Sequence, residues 1–534
     1  MNQMEIKRRQ IQLYSMALGM VVIWILGKSV GDNGITYLTA AMQGFSFIWI
    51  ILCANVPDVM GKLLRGRNAK GQYKNAAKLR HSILFFQAFL GILGSLLFLL
   101  LAKPLAELVF QVPHSKFLMM LLAPAVFLSV VNAVILGTFQ GEGSELPTVV
   151  AGVLRPVFIL GFGLLFGKML AGYGEKVSNL LGQDAFTAMY GGVGVVIAIL
   201  LSEILILLFL FFIFKGSGKK RRKRDNEDGM RTMDSYGEQI AAFYGNRGMS
   251  MLLGFLMLLP FWIGLIFYQK SVADILASVD NYGIYVGKYL IICLMISFCF
   301  AAMLLPLAIK AAGMLRKEER RVARNAFQTG IKLILIFALY ATVLLAVMGK
   351  QVAGIINGGT SLMLTQMYTA GSGIIVFGVL AYFCYIILKL SGNKYMLVAT
   401  FAVADMIYAI MLAVMLGKGI GILALVYAGL IYVILLAVAL CAQVCIQLNT
   451  NIDLIRNVAI PMGCACVAGL VCFVLGKVLT PHLGDFISFI VIFALSGMFY
   501  LMLVVFLRCF SEQELRGIPG GRVLRGIGQL LGVF

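Results

Sequence analysis

Apolar residues in this chain come in runs long enough to cross a lipid bilayer, repeated from one end to the other. A helix rises about 1.5 Å per residue, so about 20 apolar residues span roughly 30 Å of hydrocarbon. Fourteen such runs are read at 11–31, 35–57, 82–102, 117–140, 147–169, 189–214, 248–269, 284–309, 330–349, 366–389, 396–417, 419–446, 457–477 and 485–507. None alternates apolar and polar residues as the strands of a membrane barrel do, so each is expected to be a helix. Of the 534 residues 61% are hydrophobic and 13% charged. Soluble domains carry about 25% charge, so a soluble enzyme, a disordered chain and a disulfide scaffold are all excluded. The expected fold class is all-α, a polytopic membrane protein of about 14 transmembrane helices. The first run follows Lys7, Arg8 and Arg9, is long, and has no A-x-A site after it. It reads as a retained helix with a basic flank and not as a cleaved signal.

The net charge of +21 would point to nucleic acid in a soluble protein. Its placement points elsewhere. Fourteen spans put both termini on one side. The loops on that side hold Lys62, Arg65, Arg67, Lys70, Lys74, Lys78 and Arg80, then the cluster at 219–224, then Arg316, Lys317, Arg320, Arg321 and Arg324. The opposite loops and span ends hold scattered lysines, such as Lys103, Lys116, Lys176 and Lys270, and no arginine. By the positive-inside rule the basic loops and both termini are cytoplasmic in the cell membrane. The basic excess is thus a topology signal and a contact for anionic lipids, with no nucleic-acid role.

The longest polar insert follows the sixth span and divides the chain. The halves echo each other. Residues 75–110 and 322–357 both read as a basic lead-in, an apolar span and an A/G-K-x-x-A end, at an offset of about 247. At an offset of about 250, residues 146–167 meet 395–417 and bring Arg155 level with Asp405. Repeats of about six helices are a common transporter plan, with the substrate path between them. The expected organisation is a six-helix lobe at 1–214, a basic cytoplasmic linker at 215–247, a second six-helix lobe at 248–446, an additional helix pair at 447–510, and a cytoplasmic amphipathic tail at 511–534.

Several stretches carry a resemblance. They are Gly31-Asp32-Asn33-Gly34 before Ile35-Thr36-Tyr37-Leu38, the loop GKLLRGRNAKGQYKNAAKLR at 61–80, and LAPAVFLSVVNAVILGTFQGEGSELPTVVAGVLR at 122–155. With the fourteen-span layout, they resemble the polysaccharide flippases of the multidrug/oligosaccharidyl-lipid/polysaccharide (MOP) exporter superfamily. The likeness is strongest to the stage V sporulation protein B and lipid II flippase branch. The resemblance implies two MATE-like six-helix lobes plus two C-terminal helices, working by alternating access without a cofactor. It implies a polyprenyl-linked glycan as substrate, moved from the inner to the outer leaflet. One departure accompanies it. Lipid II flippases look to carry arginines in the first span, where this chain has a single cation, Lys28, near the outer end.

A charge at the bilayer centre costs about 2.5–3.5 kcal/mol on insertion scales, so one that persists faces a cavity or a partner. Arg155, Glu203 and Asp405 fall near the middle of their spans. Arg155 and Lys28 are expected to contact pyrophosphate or anionic sugar groups, since a planar guanidinium fork matches phosphate oxygens. Asp405 is expected to face Arg155 in one state and part from it in another, and Glu203 to do the same or bind a coupling ion, H⁺ or Na⁺. A static ion pair is the plainer reading of each. Gln43 and Asn132 lie inside spans two and four, either lining a path or bonding helix to helix. Cys464, Cys466 and Cys472 lack His or acidic companions, so no metal site is expected. His81, His114 and His482 sit at span edges without a carboxylate at useful spacing, and an enzyme is not expected. A cation-coupled drug antiporter of the same superfamily is the alternative function.

Overall fold

The computed structural model describes residues 3–218, 235–359, 361–450 and 455–507, with isolated positions 509, 526 and 529. The basic cluster at 219–224 lies outside the described residues, as does the expected tail helix apart from those isolated positions. All regular structure among the described residues is helical. Among the described residues twelve stretches are long and apolar enough to cross a membrane, and the chain is a multi-pass membrane protein.

Two of the twelve double back on themselves. The helix α1 (Gln3–Leu52) breaks at Gly31, whose φ of 79° and ψ of 168° are not helical. Fifty residues of straight helix would span about 75 Å. Yet Arg8 reaches Asp58, just beyond the end of α1, at 3.0 Å. The chain therefore reverses at Gly31, where a glycine tolerates positive φ. The last long helix, Ile460–Phe506, breaks in the same way at Gly484, with φ 71°. Its two arms lie against one short stretch of chain: Gly469 abuts Val343, and Ser496 bonds Tyr340 at 2.8 Å. Counting each hairpin as two passes gives the fourteen spans expected.

The chain forms two compact units, Met1–Gly287 and Lys288–Phe534. The first contains α1, then α2 (Val56–Ala69), α3 (Tyr73–Pro104), α4 (Ser115–Gly141), α5 (Leu146–Leu181), α6 (Ala185–Gly216), α7 (Tyr236–Ser271) and α8 (Ile275–Ile284). Ser235 starts α7 with a capping box, its hydroxyl accepting from the Glu238 amide while the Glu238 carboxylate accepts from the Ser235 amide. A buried cluster including Val56, Met60, Leu79, Ile83, Val134 and Phe243 packs α2, α3, α4 and α7 together. Helices α5 and α6 approach closely at Gly194. A Cβ there would lie 2.4 Å from the Phe166 carbonyl oxygen and 2.6 Å from the Gly167 nitrogen. Close approach, and not flexibility, is what this glycine provides.

The second unit contains α9 (Ile291–Arg316), α10 (Arg320–Leu333), α11 (Leu339–Val347), α12 (Gly349–Asn357), α13 (Leu362–Gly371), α14 (Ile374–Ser391), α15 (Lys394–Gly417), α16 (Leu423–Leu448) and α17 (Ile460–Phe506). The rings of Phe327 and Phe383 stack at 6.2 Å, and Gly330 makes room for the second ring. Arg324 donates from Nε to the Leu448 carbonyl at 2.8 Å and closes the C-terminus of α16.

Candidate functional site

Three residues singled out in the sequence meet inside the first unit. Arg155 on α5 holds Glu203 on α6 by two contacts. Nε lies 2.7 Å from Oε1, and Nη2 donates to Oε2 at 3.2 Å. Asn132 on α4 donates from Nδ2 to the same Oε2 at 2.8 Å and to the Glu203 carbonyl at 3.2 Å. Asn132 is 1% exposed and Glu203 7%. Arg155 differs: 35% of its side chain is open. Its Nη1 has no partner among the described residues, so one edge of the guanidinium is available.

Local sequence explains how the arginine is set. Pro156 follows it and has no N–H, so the Gly152 carbonyl one turn back loses its helical partner. The hydroxyl of Ser15, on the first arm of α1, donates to that carbonyl. Ser202, next to Glu203, donates to the Arg155 carbonyl at 3.2 Å. The backbone around Arg155 is thus tied to α1 on one side and α6 on the other. The proline was legible in the sequence; its compensating serine, 137 positions upstream, was not.

The remaining predicted residues lie elsewhere. Lys28 is exposed, and its Nζ sits 4.5 Å from the centre of the Trp24 ring. Gln43 donates from Nε2 to the Tyr282 hydroxyl at 3.3 Å, joining α1 to α8, while its Oε1 is buried without a partner. Asp405, in the second unit, is 2% exposed, and neither carboxylate oxygen makes a well-formed hydrogen bond. The Tyr432 hydroxyl on α16 is the polar group beside it, and the rings of Tyr432 and Tyr408 meet at 5.6 Å. Tyr282 and Tyr432 were not anticipated, because a lone tyrosine in an apolar run gives no sign of what it faces.

A second polar cluster also escaped sequence reasoning. Arg8 is buried and bridges two carboxylates, Asp58 at 3.0 Å and Glu145 at 2.9 Å. Arg65 pairs with Glu5, and Arg80 with Glu142 at 3.3 Å. Nearby, Arg247 on α7 donates to the carbonyls of Ile51 and Ala54 at 3.0 and 3.1 Å, closing the C-terminus of α1. The charges were read as topology signals alone. The pairs that involve Arg8 and Glu5 follow from the hairpin at Gly31, which returns the second arm to the level of the first.

No family model matches the chain, and no curated protein sequence does. Solved structures do match in fold. An inward-facing multidrug resistance MATE family transporter of the MOP superfamily aligns with a TM-score of 0.60 at 14% identity, over 82% of this chain and 94% of that one. The lipid II flippase MurJ in an inward closed conformation also gives 0.60, at 12% identity, over 94% of this chain and 99% of its own. The Vibrio cholerae MATE transporter VcmN gives 0.55 at 13% identity, over 83% and 97%. The chain is an all-α membrane protein with the fold of the MOP superfamily exporters, shared by MATE transporters and the lipid II flippase.

Proposed function

We propose that this chain is a flippase that moves an isoprenoid-pyrophosphate-linked oligosaccharide, or a peptidoglycan precursor, across the bacterial cytoplasmic membrane by alternating access of two lobes. Arg155 carries the reading. A cation in mid-span with an open edge and a fixed backbone is suited to a phosphate oxygen, which its planar fork can grip. The share of chain matched adds support. The lipid II flippase aligns with 94% of this chain and the MATE structures with 82–83%. The stretch Asn457–Phe506, about a tenth of the chain, is of a size to account for the difference. Both termini and the basic loops are cytoplasmic in this reading, where they meet anionic lipid. Lys28, near the opposite mouth, receives the anionic group on its way out.

The test is translocation of a fluorescent polyprenyl-pyrophosphoryl sugar in vesicles bearing the purified protein. Arg155→Ala removes charge-assisted hydrogen bonds of about 1.5–3 kcal/mol, so transport falls about 10- to 100-fold. Unchanged transport at equal incorporation overturns the assignment. A second reading, a cation-coupled drug antiporter, is favoured by one observation, the buried Asp405 carboxylate without a well-formed hydrogen bond. In the flippase reading Asp405 binds the coupling ion, H⁺ or Na⁺. Gradient-driven efflux of a small organic cation, with no translocation of the lipid-linked sugar, would select the antiporter.

A further inference from the structure

We propose that His114 is a proton sensor on the outer face: while neutral it packs between Tyr37 and Phe186 and seats the tip of the α1 hairpin, and protonation releases that tip. The outer placement rests on the topology given under the proposed function; the sensor itself does not depend on what is carried.

The tip is a tight joint. It is the stretch 30–37, where α1 reverses at Gly31. On one side α8 closes over it. The Thr36 hydroxyl donates to the Val279 carbonyl at 2.6 Å, and a Cβ at Gly283 would overlap the Asp32 carbonyl. On another side α6 lies as close, since a Cβ at Gly34 would sit 2.9 Å from the Ala188 carbonyl oxygen. Backbone meets backbone at both places, and packing of that kind tolerates little rearrangement. His114 is the third support. Its ring centre lies 5.5 Å from that of Tyr37 on α1, tilted by 51°, and 5.7 Å from that of Phe186 on α6, edge to face at 74°. Tyr37 is buried and adjoins Thr36, so the imidazole stands against the residue next to the bond with α8.

A neutral imidazole suits this seat and an imidazolium does not. His114 is half-buried, which disfavours its charged form and holds it below the ordinary 6.5. Lys116, two residues on, pushes the same way. Glu107 pairs with Lys116 at 3.2 Å and is engaged there. His114 also stands at the N-cap of α4 without a side-chain cap bond, at the positive end of that helix, where a cation is disfavoured. The titratable group facing it from α1 is Tyr37, a phenol that stays neutral near pH 7. From α6 it meets Phe186, with Asp184 at the N-cap two residues earlier. The two rings offer an imidazolium some attraction, which burial, Lys116 and the helix end together oppose.

The direction with pH follows. A base that holds its proton less well when packed than when open shifts toward the open arrangement on acidification. Above about pH 7 His114 is neutral in both arrangements and the seat is full. From 6.5 down to the packed value the seat weakens about tenfold per pH unit. Acid on the outer side therefore loosens the outer mouth of the first unit.

The test is hydrogen–deuterium exchange of the full chain in lipid nanodiscs. It is read on peptides covering 30–38 and 186–192, and expressed as protection so that the intrinsic pH dependence cancels. Wild type is expected to keep constant protection above about pH 7 and to lose it about tenfold per unit below 6.5, while peptides from α15 do not change. His114→Phe keeps an aromatic ring in the seat and has no proton to take up, so its protection is expected to stay level. Constant protection in wild type, or the same fall in His114→Phe, overturns the proposal. Should His114→Phe fail to fold, histidine NMR decides in the His81→Gln/His482→Gln background, where His114 is the one remaining imidazole. It is expected to titrate below 6.5, in step with the loss of protection, and titration at or above 6.5 overturns the proposal as well. If exchange follows this course but no lipid-linked sugar is translocated, the flippase reading falls and the sensor stands.

Discussion

Arg8 allows a quantitative test of how the first unit is held. Its guanidinium is almost wholly buried and touches two carboxylates of different kinds. Asp58 is 45% exposed and has Arg9 within 3.9 Å, so it loses little when Arg8 goes, about 0–1 kcal/mol. Glu145 is 6% exposed and has no such recourse. Burial already raises its carboxyl above the ordinary 4.5, against the downward pull of Arg8 and Arg65. Arg8→Gln removes the larger of those two pulls and raises it further. Leaving one partner of a buried pair uncompensated costs about 3–5 kcal/mol. The sign with pH follows from linkage. A carboxyl whose folded value is raised binds its proton more tightly when folded. Its contribution to stability is full below 4.5 and is lost as pH rises through the folded value. The cost of Arg8→Gln therefore grows with pH, by about 1.4 kcal/mol per unit between the folded value of the wild type and the higher one of the variant. Near pH 8 the variant is expected to lose about 3–5 kcal/mol, and near pH 5 about 1 kcal/mol. Thermal unfolding in detergent, followed by tryptophan fluorescence at the two pH values, reads the difference. Glu145→Gln added to Arg8→Gln removes the orphaned charge, and stability near pH 8 should largely return. Equal losses at both pH values, with no recovery in the double variant, would refute the reasoning.

Two further predictions concern the frame around Arg155. Gly194→Ala places a Cβ 2.4 Å from backbone that cannot yield, so α5 and α6 must separate at a cost of about 1–3 kcal/mol, and transport should fall with stability. Gly172→Ala on the same helix pair meets nothing within 4 Å and should stabilise by up to about 1 kcal/mol; the two melting curves, measured side by side, check the contrast. Ser15→Ala leaves the Gly152 carbonyl without a partner and should cost about 1–3 kcal/mol, whereas in Pro156→Ala the restored N–H takes over that carbonyl. The serine change should therefore be nearly silent in the Pro156→Ala background, and additive losses in the four-member cycle would exclude the compensation.

What the sequence disclosed and what it withheld divide along a physical line. Spans were legible because a bilayer demands about 20 apolar residues per helix whatever those residues touch. The reversals at Gly31 and Gly484 were legible for a related reason, since a glycine beside polar residues between two apolar runs is a turn before any packing is considered. Arg155, Glu203 and Asn132 were legible as individuals, because a polar group in mid-span needs a reason to be there. Their grouping was not, for it depends on which faces of α4, α5 and α6 turn together. In spans this uniformly apolar, hydrophobic periodicity does not say which face is inward. The sequence repeat set Arg155 level with Asp405, whereas the ion pair that forms within the first unit is with Glu203, 48 positions away. Contacts of that kind are fixed by helix rotation, to which composition is blind. The same blindness hid the partner of Arg8. Span parity placed Arg8, Asp58 and Glu145 on one side of the membrane but gave no register between them. The unpaired Asn132 oxygen lies furthest from the sequence, because it is defined by the absence of a donor and emerges only once every neighbour of Glu203 has been placed. A site of this kind is therefore visible in a sequence only as its separate members, and their grouping has to be read from geometry.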